Sequence, residues 1–157
     1  MFKGTYHYRL DAKGRLPVPA PFRRVLAGEA GGGLVATLLD ECLAVYPSRE
    51  WQRLEARLVR LPAFSAPVKG LSRLLASRAA DCALDGQGRI RLPPALRAAA
   101  GLGREATVIG VLNRFEVWVP ERWSAFVESS ERLLADASLG VDWPPPAAAR
   151  PQAKPRS

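Results

Sequence analysis

Two short stretches carry the residues best suited to chemistry, Asp11-Ala12-Lys13-Gly14-Arg15 and Asp85-Gly86-Gln87-Gly88-Arg89. Each sets an arginine four residues after an aspartate, across a segment rich in turn formers. Arginine carries five donors in a planar fork, which matches a phosphate or the O6/N7 edge of guanine. The aspartate can accept backbone N–H groups two or more residues on, and glycine supplies positive φ, so Asp11, Gly14, Asp85 and Gly88 read as the turn builders. A plain ion pair closing a turn is the competing reading, worth about 0–1 kcal/mol if exposed. For the first turn DNA contact by Arg15 is favoured. For the second, flanked by neutral Gln87, Arg89 is read mainly as a fastener. Lys13, Arg9, Lys3, Arg23 and Arg24 lie near the first turn in sequence and suit phosphate contact, which positions a protein without reading bases. Arg91 and Arg97 stand in the same relation to the second.

Other chemistries fare poorly. Asp11 and Asp85 resemble an acid/base pair, but each has a cognate arginine that keeps it ionised. Neither a nucleophile motif, a phosphate-binding glycine loop nor metal-ligand spacing is present. His7, the single histidine, stands beside two tyrosines without a ligand cluster. Cys42 and Cys82 lack CxxC spacing and read as reduced core thiols of a cytosolic protein. Trp51, Trp118 and Trp123 suit core packing better than base stacking. Across 157 residues, 23 Lys+Arg oppose 15 Asp+Glu, a net charge of +8; such a surface suits nucleic acid. No apolar run is long enough to span a membrane. Met1-Phe2-Lys3-Gly4 passes directly into a strand pattern, so no signal peptide is expected. These observations point to a non-enzymatic, cytoplasmic, nucleoid-associated protein with no cofactor and no small-molecule substrate.

The elements that hold the turns occur twice. Leu10–Leu16 returns at Leu84–Ile90, 74 residues on, and Pro19 and Arg23 return as Pro93 and Arg97. Leu39-Asp40 through Pro47 and Trp51 is answered by Leu112-Asn113 through Pro120 and Trp123, offset by about 73. Each copy reads as strand, turn, strand, short helix, two strands and long helix. Pro17 places the strand after the first turn at an edge. Ser48 is expected to cap a helix over 48–61 with Trp51, Leu54, Leu58 and Leu61 on its apolar stripe. A helix near 67–80 should turn Leu71, Leu74 and Leu75 inward, and a last helix should cover 120–139 and stop at Gly140. The expected divisions are 1–66, a linking helix 67–80, 81–140, and a proline- and alanine-rich basic tail over 141–157 without regular structure. Halves of this size bury little core alone, so they should pack on each other.

These residues resemble the MraZ family, bacterial transcriptional regulators associated with cell-wall and division genes. The matching marks are Met1-Phe2-x-Gly4, Leu10-Asp11-x-Lys13-Gly14-Arg15-Leu16, Pro19 and Arg23. In the second half they are Leu74-Leu75, Cys82, Asp85-Gly86-x-Gly88-Arg89, Pro93, Leu96-Arg97, Ala100-Gly101-Leu102 and Asn113 to Trp118. The resemblance runs from residue 1 to about 140. It implies an α+β, mainly β fold of tandem AbrB-like swapped-hairpin units, interlocked as small β-barrels with flanking helices. It also implies a ring-forming homo-oligomer that binds double-stranded promoter DNA at tandem short G-containing boxes, commonly of its own operon. The first Asp-x-x-x-Arg turn is the one implicated in DNA contact. Pro17, Gln87 and the tail depart from the pattern. The alternative is a non-enzymatic oligomeric scaffold or antitoxin-like partner-binding protein with nonspecific nucleic-acid affinity.

Overall fold

The computed structural model describes residues 1–29 and 31–136. The tail over 141–157, Gly140 and the end of the last expected helix lie outside the described residues. The chain divides into two units, 1–123 and 124–157.

The first copy runs β1 (Thr5–Arg9), β2 (Arg15–Pro17), α1 (Ala20–Ala27), β3 (Gly33–Leu39), β4 (Cys42–Pro47) and α2 (Ser48–Arg60). After α3 (Ala66–Ser77), the second copy follows as β5 (Ala80–Ala83), β6 (Arg89–Arg91), α4 (Pro94–Ala99), β7 (Glu105–Val111), β8 (Arg114–Trp118) and α5 (Pro120–Ala135). α5 begins in the first unit and passes into the second at Ser124. Prolines set several helix starts: Pro21, Pro67 and Pro94 fall in first turns, where a missing N–H costs nothing.

The copies exchange strands. One antiparallel sheet has the order β1-β7-β8-β4-β3-β5, and a separate two-stranded ribbon pairs β2 with β6. β1 of the first copy therefore pairs with β7 of the second, and β5 of the second with β3 of the first. The order reads the same from either end once the copies are interchanged, so the unit has an internal pseudo-two-fold. Its axis passes through Leu16↔Ile90 in the ribbon and Ala44↔Glu116 in the sheet.

Each face of the sheet is covered. On one face Leu16, Val18, Ile90 and Leu92 from the ribbon region pack with Phe22 of α1, Leu96 of α4 and Phe115 of β8. Phe2 completes this core, edge-on to Phe22 and Phe115. Its backbone is bonded in both directions to Leu112, and the segment crosses Gly110 so closely that a Cβ there would overlap Lys3 backbone atoms. On the other face Val35, Ala44 and Tyr46 meet Trp51 of α2 and Leu75 of α3, while Trp118 meets Trp123. Thr37 and Glu116 are buried polar residues with partners: Thr37 Oγ1 donates to the Leu75 carbonyl, and Glu116 accepts from Arg114 and from Trp118 Nε1.

Several expectations change. The six strands form an open sheet with β1 and β5 at its edges, rather than a closed barrel. The second pair of strands repeats at 72 residues, not 73. Asp40 and Leu112 are the equivalent positive-φ positions, at 51° and 61°, and hydrogen-bond register rather than residue likeness sets that match. Pro47, not Ser48, occupies the cap position of α2, with no side-chain cap. The linking helix ends at Ser77 because Ala80 is already paired with Ala36. Of its leucines only Leu75 is buried; Leu71 and Leu74 are exposed, as is Leu61 of the α2 stripe.

Candidate nucleic-acid interface

The two Asp-x-x-x-Arg turns have the same construction. In the first, Asp11 Oδ1 accepts the N–H groups of Lys13 and Arg15, each at 2.9 Å, and Oδ2 accepts Arg15 Nε. In the second, Asp85 Oδ1 accepts the N–H groups of Gln87 and Arg89, each at 2.9 Å, and Oδ2 accepts Arg89 Nε at 2.9 Å. Backbone bonds close both: Gly14 N–H to the Asp11 carbonyl and Gly88 N–H to the Asp85 carbonyl. The glycines take φ of 73° and 74°, a region side chains disfavour. The Arg15 N–H is the main reason the Asp11 carboxyl lies below the usual carboxylate range, and the Arg89 N–H does the same for Asp85. Each aspartate is thus committed, as an anion, to building a turn and aiming an arginine.

The turns lie side by side because their strands pair. Val18 N–H donates to the Gly88 carbonyl and Leu92 N–H to the Gly14 carbonyl, so each copy's ribbon strand is tied to the other's turn. Arg23 and Arg97 complete this exchange. Arg23 Nη1 donates to the Val18 carbonyl while its side chain lies over Gly88, where a Cβ would come within 2.5 Å of Arg23 Cδ. Arg97 Nε donates to the Leu92 carbonyl, and its guanidinium covers Gly14 in the same way. Arg23 therefore supports the second turn rather than standing loose beside the first.

Alternation on the ribbon then fixes what faces outward. Leu16 and Ile90 are fully buried, so their neighbours Arg15, Pro17, Arg89 and Arg91 share the opposite face. Arg15 stands directly across from Arg91, and Pro17 across from Arg89. Lys13, at the tip, is exposed. Among the described residues Arg15 hydrogen-bonds through Nε alone, to Asp11 Oδ2. Arg89 is more committed, with Nη1 also 3.8 Å from Asp11 Oδ2. Arg91 is the residue that sequence reasoning left in the background. It is exposed, and its signal was the two-residue period that puts it on the face of Arg89.

Arg9 and Lys3 do not belong to the ribbon strands. Arg9 is on the edge strand β1, exposed and paired across strands with Glu105 at 3.3 Å; Lys3 is exposed on the segment that crosses Gly110. His7 shares β1 and contacts Thr107 Oγ1 at 3.2 Å. Burial pushes the thiols of Cys42 and Cys82 up from their ordinary value, which disfavours the reactive thiolate. Among the described residues no cluster of three or more metal-ligating side chains occurs, and no helix is long and apolar enough to cross a membrane.

The chain matches the family model MraZ, described as "MraZ protein, putative antitoxin-like", twice, over residues 1–74 and 75–139. It is 43% identical over 143 residues to "Transcriptional regulator MraZ" of Halothermothrix orenii, covering 90% of this chain and 97% of that protein. It is 42% identical over 131 residues to the protein of that name from Pseudomonas aeruginosa strain LESB58, covering 82% and 87%. The same name is carried by a protein of Ligilactobacillus salivarius, 42% identical over 137 residues, 87% of this chain and 93% of that one. Two family matches in tandem meet the doubled turns and exchanged strands from independent directions, and this chain belongs to the MraZ family.

Proposed function

We propose that this chain is a sequence-specific, DNA-binding transcriptional regulator that grips tandem short G-containing promoter boxes, those of its own cell-wall and division operon first among them. The observation that carries this reading is the outward face of the β2–β6 ribbon. There two braced turns present Arg15, Arg89 and Arg91 beside Lys13, with Arg15 held to its aspartate through Nε alone. A narrow two-stranded ribbon is one of the shapes that fits a major groove. Arg15 reads a guanine, at about 1–3 kcal/mol for a good bidentate contact. Lys13, Arg9, Lys3 and Arg89 neutralise phosphate, while Arg23 holds the second turn in place. One ribbon spans too few base pairs for selectivity on its own. A homo-oligomeric ring engaging successive boxes gains affinity through effective concentration.

The test is a competition measurement. The duplex upstream of this gene should displace itself far better than scrambled duplex or single-stranded RNA of equal length. Equal competition by all three would replace specific reading with nonspecific charge attraction.

A further inference from the structure

We propose that the cavity between α2 and the β7–β8 turn is a binding site for a small phosphate-bearing molecule, separate from the DNA face. The cavity measures about 320 Å³, at the small end of the range for ligand pockets. Three arginines line it from two elements: Arg53 and Arg57 lie one turn apart on α2, and Arg114 opens β8. Tyr46 and Leu54 give it an apolar wall, and Asn113 adds a side-chain amide.

Two of the arginines are held in place. Glu116, only 6% exposed, accepts from Arg114 Nε at 3.0 Å, and Arg114 Cζ stands 5.7 Å from the centre of the Tyr46 ring. Arg53 Nη1 donates to Glu50 Oε1, a carboxylate that also lines the cavity. Arg57 is exposed and has no side-chain hydrogen bond or ion pair among the described residues. Three guanidiniums against the carboxylates of Glu50 and Glu116 leave the cavity net positive. A phosphate group offers three strong acceptor oxygens to donors arriving from different elements, whereas a carboxylate offers two.

Two observations separate this site from the duplicated scaffold and from DNA. At the 72-residue repeat, the places of Tyr46, Arg53, Arg57 and Arg114 are taken by Trp118, Ala125, Ser129 and Cys42. The repeated architecture is therefore built without these arginines, and their gathering in one copy is not something the fold requires. Tyr46 and Trp51 of α2 also pack on the sheet face opposite the ribbon. A duplex held by Arg15 lies across the sheet from the cavity.

Isothermal titration calorimetry of the full chain at fixed ionic strength tests the site, with inorganic phosphate, phenyl phosphate and succinate as probes. At least one phosphate probe is expected to saturate one site per chain, and the tighter of the two tells free phosphate from a phosphate ester. Succinate, a dicarboxylate, is expected not to bind. Arg57→Gln and Arg53→Gln, both at exposed positions, should each weaken phosphate binding about tenfold or more, the loss of a charge-assisted hydrogen bond. Arg114→Gln should do the same; because it leaves Glu116 short of a partner, the two exposed variants carry the test should it misfold. Arg15→Ala, impaired for DNA in the proposed function, should bind the probe like the parent, so the two readings fail separately. Absence of saturation by both phosphates, equal binding of succinate, or parental affinity in both Arg57→Gln and Arg53→Gln overturns the site. Loss of phosphate binding in Arg15→Ala would assign the anion to the turn and overturn it as well.

Discussion

The turn at Asp11 and the turn at Asp85 share every backbone bond and the same carboxylate bracing, yet they differ in what they offer a partner. The first has a lysine at its tip and an arginine with an uncommitted outer end. The second has Gln87 at its tip, and its Arg89 leans toward the neighbouring Asp11 at 3.8 Å. Arginine side-chain exposure follows the same order, 33% for Arg15 and 25% for Arg89. Past the turn, the first copy has Pro17 where the second has Arg91. Duplication thus preserved the scaffold interactions, which must be satisfied in both halves for the strands to exchange. The residues on the outer face were left to diverge. Geometry is common to the two turns, and charge and freedom are not.

The comparison can be broken at its scaffold first. Leu16→Ala and Ile90→Ala remove the fully buried pair on the pseudo-two-fold axis. Each should cost about 2–5 kcal/mol in urea unfolding, and the two should agree closely. A large difference would mean that the halves do not share one core. Next come Gly14→Ala and Gly88→Ala, which place a side chain at positive φ, at about 1–2 kcal/mol. Each also displaces an arginine of the opposite copy, so thermal melting should fall for both. Loss at only one position would deny the reciprocal bracing by Arg97 and Arg23.

Smaller effects sharpen the difference. Lys13→Gln should lower the salt dependence of DNA binding by about 0.9 in log K against log salt, the value for one phosphate contact. Gln87→Lys should leave that slope unchanged unless the second tip also meets the backbone. The mildest test is acid. Both aspartates have folded values below their ordinary 3.8, so their contribution to stability is complete above the unfolded value and disappears as pH falls through the lowered ones. The Arg15 and Arg89 amide resonances should therefore keep their neutral-pH positions down to pH 4 and shift together below it. Titration of either at an ordinary carboxylate pKa would remove the bracing role.

Much of this was legible in the chain. The doubled Asp-x-x-x-Arg pattern, the strand alternation and the apolar stripes locate nearly every element, because each reflects a local period or a turn preference. Three features were not legible. The exchange of β1 and β5 between copies depends on distant pairing, 96 to 104 residues apart for β1 (Arg9 with Glu105, Thr5 with Ile109) and 44 to 50 for β5 (Ala80 with Ala36, Ala83 with Gly33). The 72-residue repeat was hidden by the likeness of Asp40 to Asn113, whereas backbone register matches Asp40 to Leu112. The roles of Arg23 and Arg97 as covers for the opposite glycines come from tertiary packing alone. Leu71 and Leu74 mislead for a related reason: apolar spacing marks a face, but not what covers it.

The central claim, that the first turn reads DNA while the second chiefly holds it in place, is tested most directly by equilibrium binding of Arg15→Ala and Arg89→Ala to the duplex upstream of the gene. Both variants should first sediment like the parent. Arg15→Ala should then lose about tenfold or more in affinity, in line with one lost bidentate contact of 1–3 kcal/mol, and Arg89→Ala distinctly less. Parental affinity in Arg15→Ala with assembly intact would contradict the account.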